Sequence, residues 1–304
     1  MSGSHRRASG TGVRPFALRG ARESLAKARQ LSDAGGSIEH PPWSTEVPNP
    51  VYLEYQGLMK KTLSRRPPVL FLGGTLAVVA TLLGLWGLYC LARSPTTQLF
   101  GQIVSRVETT DRLVALTFDD GPNAALVDDV LHMLQRLEVR ATFFVTGAEL
   151  AETPGAGRRL VEAGHELGNH SYSHSRMVFV SPTFVRREIE DTDALIRRAG
   201  QAGEIYFRPP YCKKLVVLPW FLRQTGRTSV TWDLAPDSGS PQIRPETIVE
   251  LVLDHVRPGS IILLHVWYNS RATSRRAVPR LVEKLRAKGY RFVTVGELLA
   301  QREA

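Results

Sequence analysis

Residues 117–122 read Thr117-Phe118-Asp119-Asp120-Gly121-Pro122. The apolar run 113–118 is too short for a helix, and it breaks on Asp-Asp-Gly-Pro, a turn composition. The segment therefore reads as a buried strand that delivers two carboxylates to its C-terminal end. In parallel α/β folds that end is where functional side chains collect.

Working outward, the same alternation recurs. Strand-like runs are predicted at 141–145, 165–167, 205–207, 229–232, 260–264 and 291–294. Helical segments are predicted at 126–137, 158–163, 182–198, 217–225, 245–256, 274–288 and 295–302. In the first of these, Leu126, Val130, Leu131, Leu134 and Leu137 fall on one helical face. Ser181 and Pro182 open the third as cap and first residue. About seven strand–helix units in roughly 200 residues predict an α/β fold, a parallel sheet or barrel. No Gly-x-Gly-x-x-Gly or Walker sequence is present, which argues against nucleotide binding, and there is no internal repeat.

The N-terminal third is different. Of 304 residues, 43% are hydrophobic and 22% charged, an ordinary globular balance that argues against wholesale disorder and against a polytopic membrane protein. Two cysteines exclude a disulfide framework and a Cys-based zinc cluster. The net charge of +10 is unevenly placed. Residues 1–68 hold 11 Lys/Arg against 5 Asp/Glu, and the rest holds 28 against 24. Nucleic acid is therefore not an expected partner, because the exported part is only mildly basic.

Residues 1–68 read as a flexible basic arm, with helix formers at 16–31. Residues 69–92 carry no charge and are dominated by Leu, Val, Ala and Gly. At about 1.5 Å per residue they span roughly 36 Å, enough for a hydrocarbon core of roughly 30 Å. A single transmembrane helix is predicted. Lys60, Lys61, Arg65 and Arg66 precede it and Arg93 alone follows. The positive-inside rule then keeps the arm in the cytoplasm and exports the remainder from the cytoplasmic membrane. No small-x-small cleavage pattern follows, and Tyr89 before Cys90 argues against lipidation. The expected layout is a cytoplasmic arm at 1–68, a span at 69–92, a linker at 93–106 and a catalytic domain at 107–302.

The polar residues that stand out fall after the predicted strands. Asp119 and Asp120 follow the first, His170 and His174 the third, Arg208 the fourth, Asp233 the fifth and His265 the sixth. His170-Ser171-Tyr172-Ser173-His174 sets two imidazoles four residues apart, a spacing that suits two nitrogen ligands on one metal. A carboxylate from another strand completes a three-ligand site for zinc or a similar divalent ion, with a position left open for water and substrate. If one of the paired aspartates binds metal and the other stands free, the site holds both a Lewis acid and a general base. His265 can then protonate a leaving group. The set describes metal-assisted hydrolysis of an amide or ester.

Together, Thr117–Pro122, His170–His174, Arg208-Pro209-Pro210-Tyr211 and Leu263-Leu264-His265 resemble the ordered motifs of the polysaccharide deacetylase family. This is the NodB-homology group, carbohydrate esterase family 4. The resemblance covers about residues 105–302. It implies a distorted (β/α) barrel of about seven strands and N-deacetylation of an N-acetylated glycan. It implies that Asp120, His170 and His174 hold zinc, with cobalt or nickel as other candidates. Asp119 is implied as the base, His265 as the acid that protonates the departing amine, and Arg208 as the partner of Asp119. The Tyr211 N–H is implied as an oxyanion donor. Pro210 and Leu263 are implied in substrate binding, with Leu263 lining the acetyl pocket.

One motif departs from the pattern. The family places Asp-x-x-Asp-Trp after the fifth strand, where an Asp orients the catalytic His. Here the stretch is Trp232-Asp233-Leu234-Ala235-Pro236-Asp237-Ser238-Gly239. Asp237 or Asp233 is left to take the orienting role. The departure motivates an alternative, a catalytically silent glycan-binding protein. A further alternative is a deacylase of a non-carbohydrate amide or ester.

Overall fold

A computed structural model describes residues 69–239 and 243–302. The basic arm, including 16–31 and the Lys/Arg cluster at 60–66, lies outside the described residues.

The strand read from 113–118 is the centre of the molecule. Strand β2 (Leu113–Asp119) is buried at every position. It pairs in parallel with β3 (Thr142–Val145) and β6 (Ser260–His265), and β3 pairs with β4 (Glu166–Asn169). A strand covered on both faces has no polar alternation, so it reads as a continuous apolar run. Strand β7 (Arg291–Val293) pairs with Leu113–Ala115, while β3 takes Thr117–Asp119. Because β6 already occupies the other edge of β2, β7 and β3 share one edge end to end. Two short strands, β1 (Ile103–Val104) and β5 (Ser229–Val230), form a parallel pair of their own. Single bridges, Asn169 to Phe207, Phe207 to Ser229 and Leu234 to Ile262, carry the ring from β4 round to β6. The result is a distorted parallel α/β barrel.

The predicted strand at 205–207 contracts to Phe207 alone. After Arg208 come Pro209 and Pro210, which have no N–H to continue a ladder. The predicted linker at 93–106 contains β1. Gln102 O accepts from Ser229 N, and Val104 O accepts from Thr231 N at 2.8 Å. A two-residue strand has no period from which it could be read.

Around the strands lie α2 (Val127–Arg136), α3 (Gly147–Glu152), α4 (Pro154–Glu162), α5 (Pro182–Arg198), α6 (Val217–Gln224), α7 (Pro245–His255), α8 (Ala272–Ala287) and α9 (Val295–Ala300). Helix α5 starts where its sequence says it should. The Ser181 side chain accepts from Phe184 N, and Pro182 occupies the first turn. Helix α9 has a full capping box between Thr294 and Glu297. Leu116, Phe118, Phe143, Ile262, Leu264 and Leu281 belong to the main core between sheet and helices. Trp267, on the chain leaving β6, stacks on Phe143 at 5.5 Å between ring centroids.

Helix α1 (Val69–Ala92) is different from the others. From Gly74 onward it is apolar, and only 6% of its most hydropathic window is buried. Leu82, Leu83 and Trp86 are each about 60% exposed or more. It meets the rest of the fold only at its end, where Ala92 is buried.

Candidate active site

The barrel topology sets the C-terminal ends of β2, β4 and β6 beside one another, and seven of the residues singled out from sequence line one cleft of about 840 Å³. Asp119, Asp120, His170, His174 and His265 share it with Tyr211 and Leu263.

Asp119 ends β2 and is nearly fully buried. Its Oδ1 accepts from Arg208 Nη1 at 2.6 Å, and its Oδ2 lies 3.6 Å from His170 Nε2. Arg208 is wholly buried beneath it. It also donates to Thr117 Oγ1 (2.9 Å), Val230 O (3.1 Å) and Thr231 O (2.9 Å). Its guanidinium lies 3.8 Å from the centroid of the Phe144 ring. All three of its nitrogens are used, so the group is fixed as well as charged. Arg208 does not reach the cleft. It is a positioning residue for Asp119.

Asp120, His170 and His174 offer one ligand atom each, and these atoms lie within 4.8 Å of one another. His174 Nε2 is 3.3 Å from Asp120 Oδ1. The Nδ1 of His170 lies 2.7 Å from Arg208 O, which only accepts, so that nitrogen donates and Nε2 is the atom turned toward Asp119 and Asp120. Burial, then the neighbouring His170, push the His174 imidazole down to about 4, which keeps it neutral. One carboxylate and two imidazoles fit a borderline divalent cation.

The backbone that presents these groups is unusual. Asp120 (φ 71°), Ser171 (φ 67°), His174 (φ 55°), Tyr211 (φ 54°) and Cys212 (φ 57°) all sit in the left-handed region without being glycine. Such residues cost of order 1–3 kcal/mol each, and they cluster at functional sites. Hydrogen bonds hold the turn. Asn169 Oδ1 accepts from Ser171 N at 2.8 Å, and Ser171 Oγ accepts from His174 N at 3.1 Å. Asn169 is in turn held by Ile189 O and Asp193 Oδ1.

On the opposite wall, His265 Nδ1 is 3.1 Å from Asp237 Oδ1, and Asp237 Oδ2 accepts from His265 N (2.8 Å) and Ser274 Oγ (2.7 Å). Burial alone would lower the His265 pKa. The hydrogen bond and charge of Asp237, with Asp119 and Asp120 behind, outweigh it and hold the imidazole above its usual range. Burial alone would raise Asp237, but its bonds to His265 and Ser274 hold it below the usual carboxylate range. Asp233 does not orient His265. Its oxygens accept from Ser260 Oγ and Ile261 N at 2.8 Å each, where it ties the chain leaving β5 to the start of β6. Pro210 is buried in the turn, where its carbonyl accepts from Lys213 N, and it does not line the cleft. The Tyr211 N–H makes no hydrogen bond among the described residues.

A family profile described as polysaccharide deacetylase matches residues 106–230. Over 204 residues the chain is 30% identical to a peptidoglycan-N-acetylglucosamine deacetylase of Bacillus cereus, covering 66% of this chain and 93% of that protein.

The chain belongs to the polysaccharide deacetylase family.

It is also 34% identical over 202 residues to the peptidoglycan-N-acetylmuramic acid deacetylase PdaC of Bacillus subtilis, covering 65% of this chain but only 42% of that protein. Among solved structures, a family 4 acetyl xylan esterase from Clostridium thermocellum in complex with a cobalt ion superimposes with a TM-score of 0.57. It is 38% identical, over 62% of this chain and 91% of that one. The family profile ends at residue 230, before Asp237 and His265.

Several cleft residues carry no sequence signal of their own. Trp232, Tyr268, Arg271, Arg93 and Pro95 line it. Tyr268 donates to Glu149 Oε1 at 2.8 Å, and Glu149 Oε2 accepts from Gly121 N at 2.7 Å, which braces the Asp-Asp-Gly-Pro turn. Tyr268 stands three residues after His265, a proximity that could have marked it.

Proposed function

We propose that this chain is a membrane-anchored, metal-dependent N-deacetylase acting on N-acetylglucosamine-type residues of a cell-envelope glycan. The observation that carries the reading is one cleft with the Asp119–Arg208 pair on one wall and His265–Asp237 on the other, around the donor group of Asp120, His170 and His174. A zinc or cobalt ion held by those three donors supplies Lewis acidity toward the attacking water and the acyl oxygen.

The protein's own groups divide the rest. Arg208 fixes Oδ1 of Asp119, leaving Oδ2 to take the proton from the attacking water. The Tyr211 N–H donates to the oxygen that becomes negative as the carbonyl carbon turns tetrahedral. Leu263, nearly buried in the cleft floor, packs against the acetyl methyl group. His265, held through Nδ1 by Asp237, delivers a proton from Nε2 to the departing sugar amine. The contact between Asp237 and His265 favours this reading over a catalytically silent glycan binder, since the orienting carboxylate survives at a shifted position. Helix α1 supports a single-pass anchor, and the Lys/Arg excess before it supports an extracytoplasmic cleft.

The test uses the full chain in detergent, loaded with zinc or cobalt. Acetate release is measured from N-acetylglucosamine oligomers, peptidoglycan and exopolysaccharide. Release from at least one is expected, and none from folded, metal-loaded protein refutes the reading. Asp119→Asn is expected to lose turnover while retaining metal, and an active variant would reassign the base.

A further inference from the structure

We propose that the cleft takes an N-acetyl-amino sugar carried on a membrane lipid through a phosphate, bound within the headgroup layer. This rests on the deacetylase reading above and narrows its substrate.

The inference starts from where the cleft begins. Arg93 and Pro95 line the same cleft as Asp119, His174 and His265. Ala92, the last residue of α1, is three Cα steps from Pro95, at most about 11 Å of chain. That segment is tied down. Ala92 O accepts from Lys214 N at 2.9 Å, and Ser94 O accepts from Lys214 Nζ (2.5 Å) and Cys212 Sγ (3.4 Å). Pro95 O accepts from Thr231 Oγ1 at 2.5 Å. The tying residues belong to the turn after Tyr211 and to the chain leaving β5, so the segments that build the site also hold the helix end.

The end of α1 has the chemistry of a bilayer boundary. Trp86 and Tyr89 lie 5.7 Å apart between centroids, and Tyr89 carries Arg93 at 5.3 Å and Lys213 at 4.7 Å. Aromatic rings flanked by cations mark the headgroup level. Further apolar side chains stand near the segment that holds the helix end. The bridge between Met177 and Lys214 sets two loops side by side. From these loops Phe179 (93% exposed) and Val216, and from the adjoining helix α6 Trp220, present apolar side chains to the outside. The occupant that fits these exposed apolar side chains, on segments tied to the end of an unpartnered apolar helix, is the outer face of the bilayer.

A sugar reached at that depth is one held there by its own lipid. Arg93 and Arg271 are the cations of the cleft wall, and Arg93 makes no ion pair among the described residues. A guanidinium at the lipid end of the cleft suits the phosphate that joins sugar to lipid. The reaction balances without a further reactant. Water adds to the acetamide, the C–N bond breaks, acetate leaves, and the amine takes the proton and stays on the lipid-linked sugar.

The experiment uses the full chain in lipid nanodiscs with zinc, given three probes at matched sugar concentration. The probes are N-acetylglucosamine linked to a polyprenyl phosphate in the same bilayer, soluble N-acetylglucosamine tetramer, and isolated sacculi. Mass spectrometry counts acetyl loss. The lipid-linked probe is expected to turn over at least about tenfold faster than either other probe. Arg93→Gln is expected to cut the ratio of lipid-linked to tetramer turnover about tenfold. Tetramer or sacculi turned over as fast as the lipid-linked sugar overturns the inference and leaves the deacetylase reading standing. No acetyl loss from any probe overturns both. A readout independent of activity is a bimane label on Phe179→Cys in a Cys90→Ser background. Quenching by brominated acyl chains is expected, and an unquenched label removes the membrane-facing rim.

Discussion

At the scale of single residues, the site is a set of charges held by groups that do not touch substrate. Asp237 illustrates the point. It holds the His265 pKa up against burial, so the protonated acid persists to higher pH than an ordinary histidine. With His265 in the proposed role of acid, which acts while protonated, kcat/KM is expected to be lost as pH rises through that raised pKa. In Asp237→Asn burial dominates and the pKa falls. The alkaline limb of the pH profile is expected to move to lower pH, with kcat reduced on the order of 10²-fold or more. Arg208 is the counterpart on the other wall. Removing the charge in Arg208→Met leaves Asp119 buried without its partner, and the expected cost is about 3–5 kcal/mol by denaturant unfolding, together with loss of turnover. His165 lies outside the site. Burial, then Arg140, push it down to about 4, and its Nδ1 accepts from Ala141 N. The unfolded chain takes up this proton below about 6.5 and the folded chain only below about 4. Stability therefore falls as pH drops through that window, by about 3 kcal/mol in full. Burial raises the neighbouring Glu166, which works in the opposite direction, so the comparison is between wild type and variant. His165→Gln is expected to flatten the difference between urea midpoints at pH 7 and pH 4.5.

At the scale of elements, turns and strand ends do the positioning. Gly121 follows the two catalytic-side aspartates with φ 66°, and a Cβ there would stand 2.4 Å from the Trp267 ring. Trp267 is buried, so it cannot swing away. Gly121→Ala is expected to cost at least about 2 kcal/mol and to lower metal affinity by shifting Asp120, read by calorimetric zinc titration. Helix α1 allows a cleaner test at its middle, because Leu82 is 60% exposed. Leu82→Arg places a charge at the middle of the span, a penalty of about 2.5–3.5 kcal/mol for insertion. The expected outcome is loss of the membrane fraction with the catalytic domain still folded. Unchanged membrane sedimentation would contradict the anchor. Not every element was equally readable. β2 and β6 announce themselves as apolar runs, and α5 by its cap. β1, the bridging Phe207 and α3 do not, because two residues, one residue and six residues are too few to show a period.

At the scale of the whole molecule, the consequence is the absence of slack between anchor and cleft. Composition makes 93–106 look like a tether, yet its carbonyls at Ser94, Pro95, Gln102 and Val104 are engaged by the barrel. A tether would be nicked at Arg93 or Arg106 by brief trypsin treatment of the native protein in nanodiscs. The packed segment is expected to resist, and rapid release of a soluble domain would contradict it. The sequence by itself determined the alternating α/β plan, the uncharged run at 69–92, and the order in which Asp119, Asp120, His170, His174 and His265 reach the strand ends. Those are properties of residue type, local period and order along the chain, and such properties are written in one dimension. Only the tertiary structure set Asp237 rather than Asp233 against His265, left Pro210 outside the cleft lining, placed Arg208 under Asp119, and set Arg93 and Pro95 in the cleft wall. Each of these is a meeting of segments far apart in the chain. It depends on barrel closure and side-chain packing in three dimensions, which leave no local trace in the sequence.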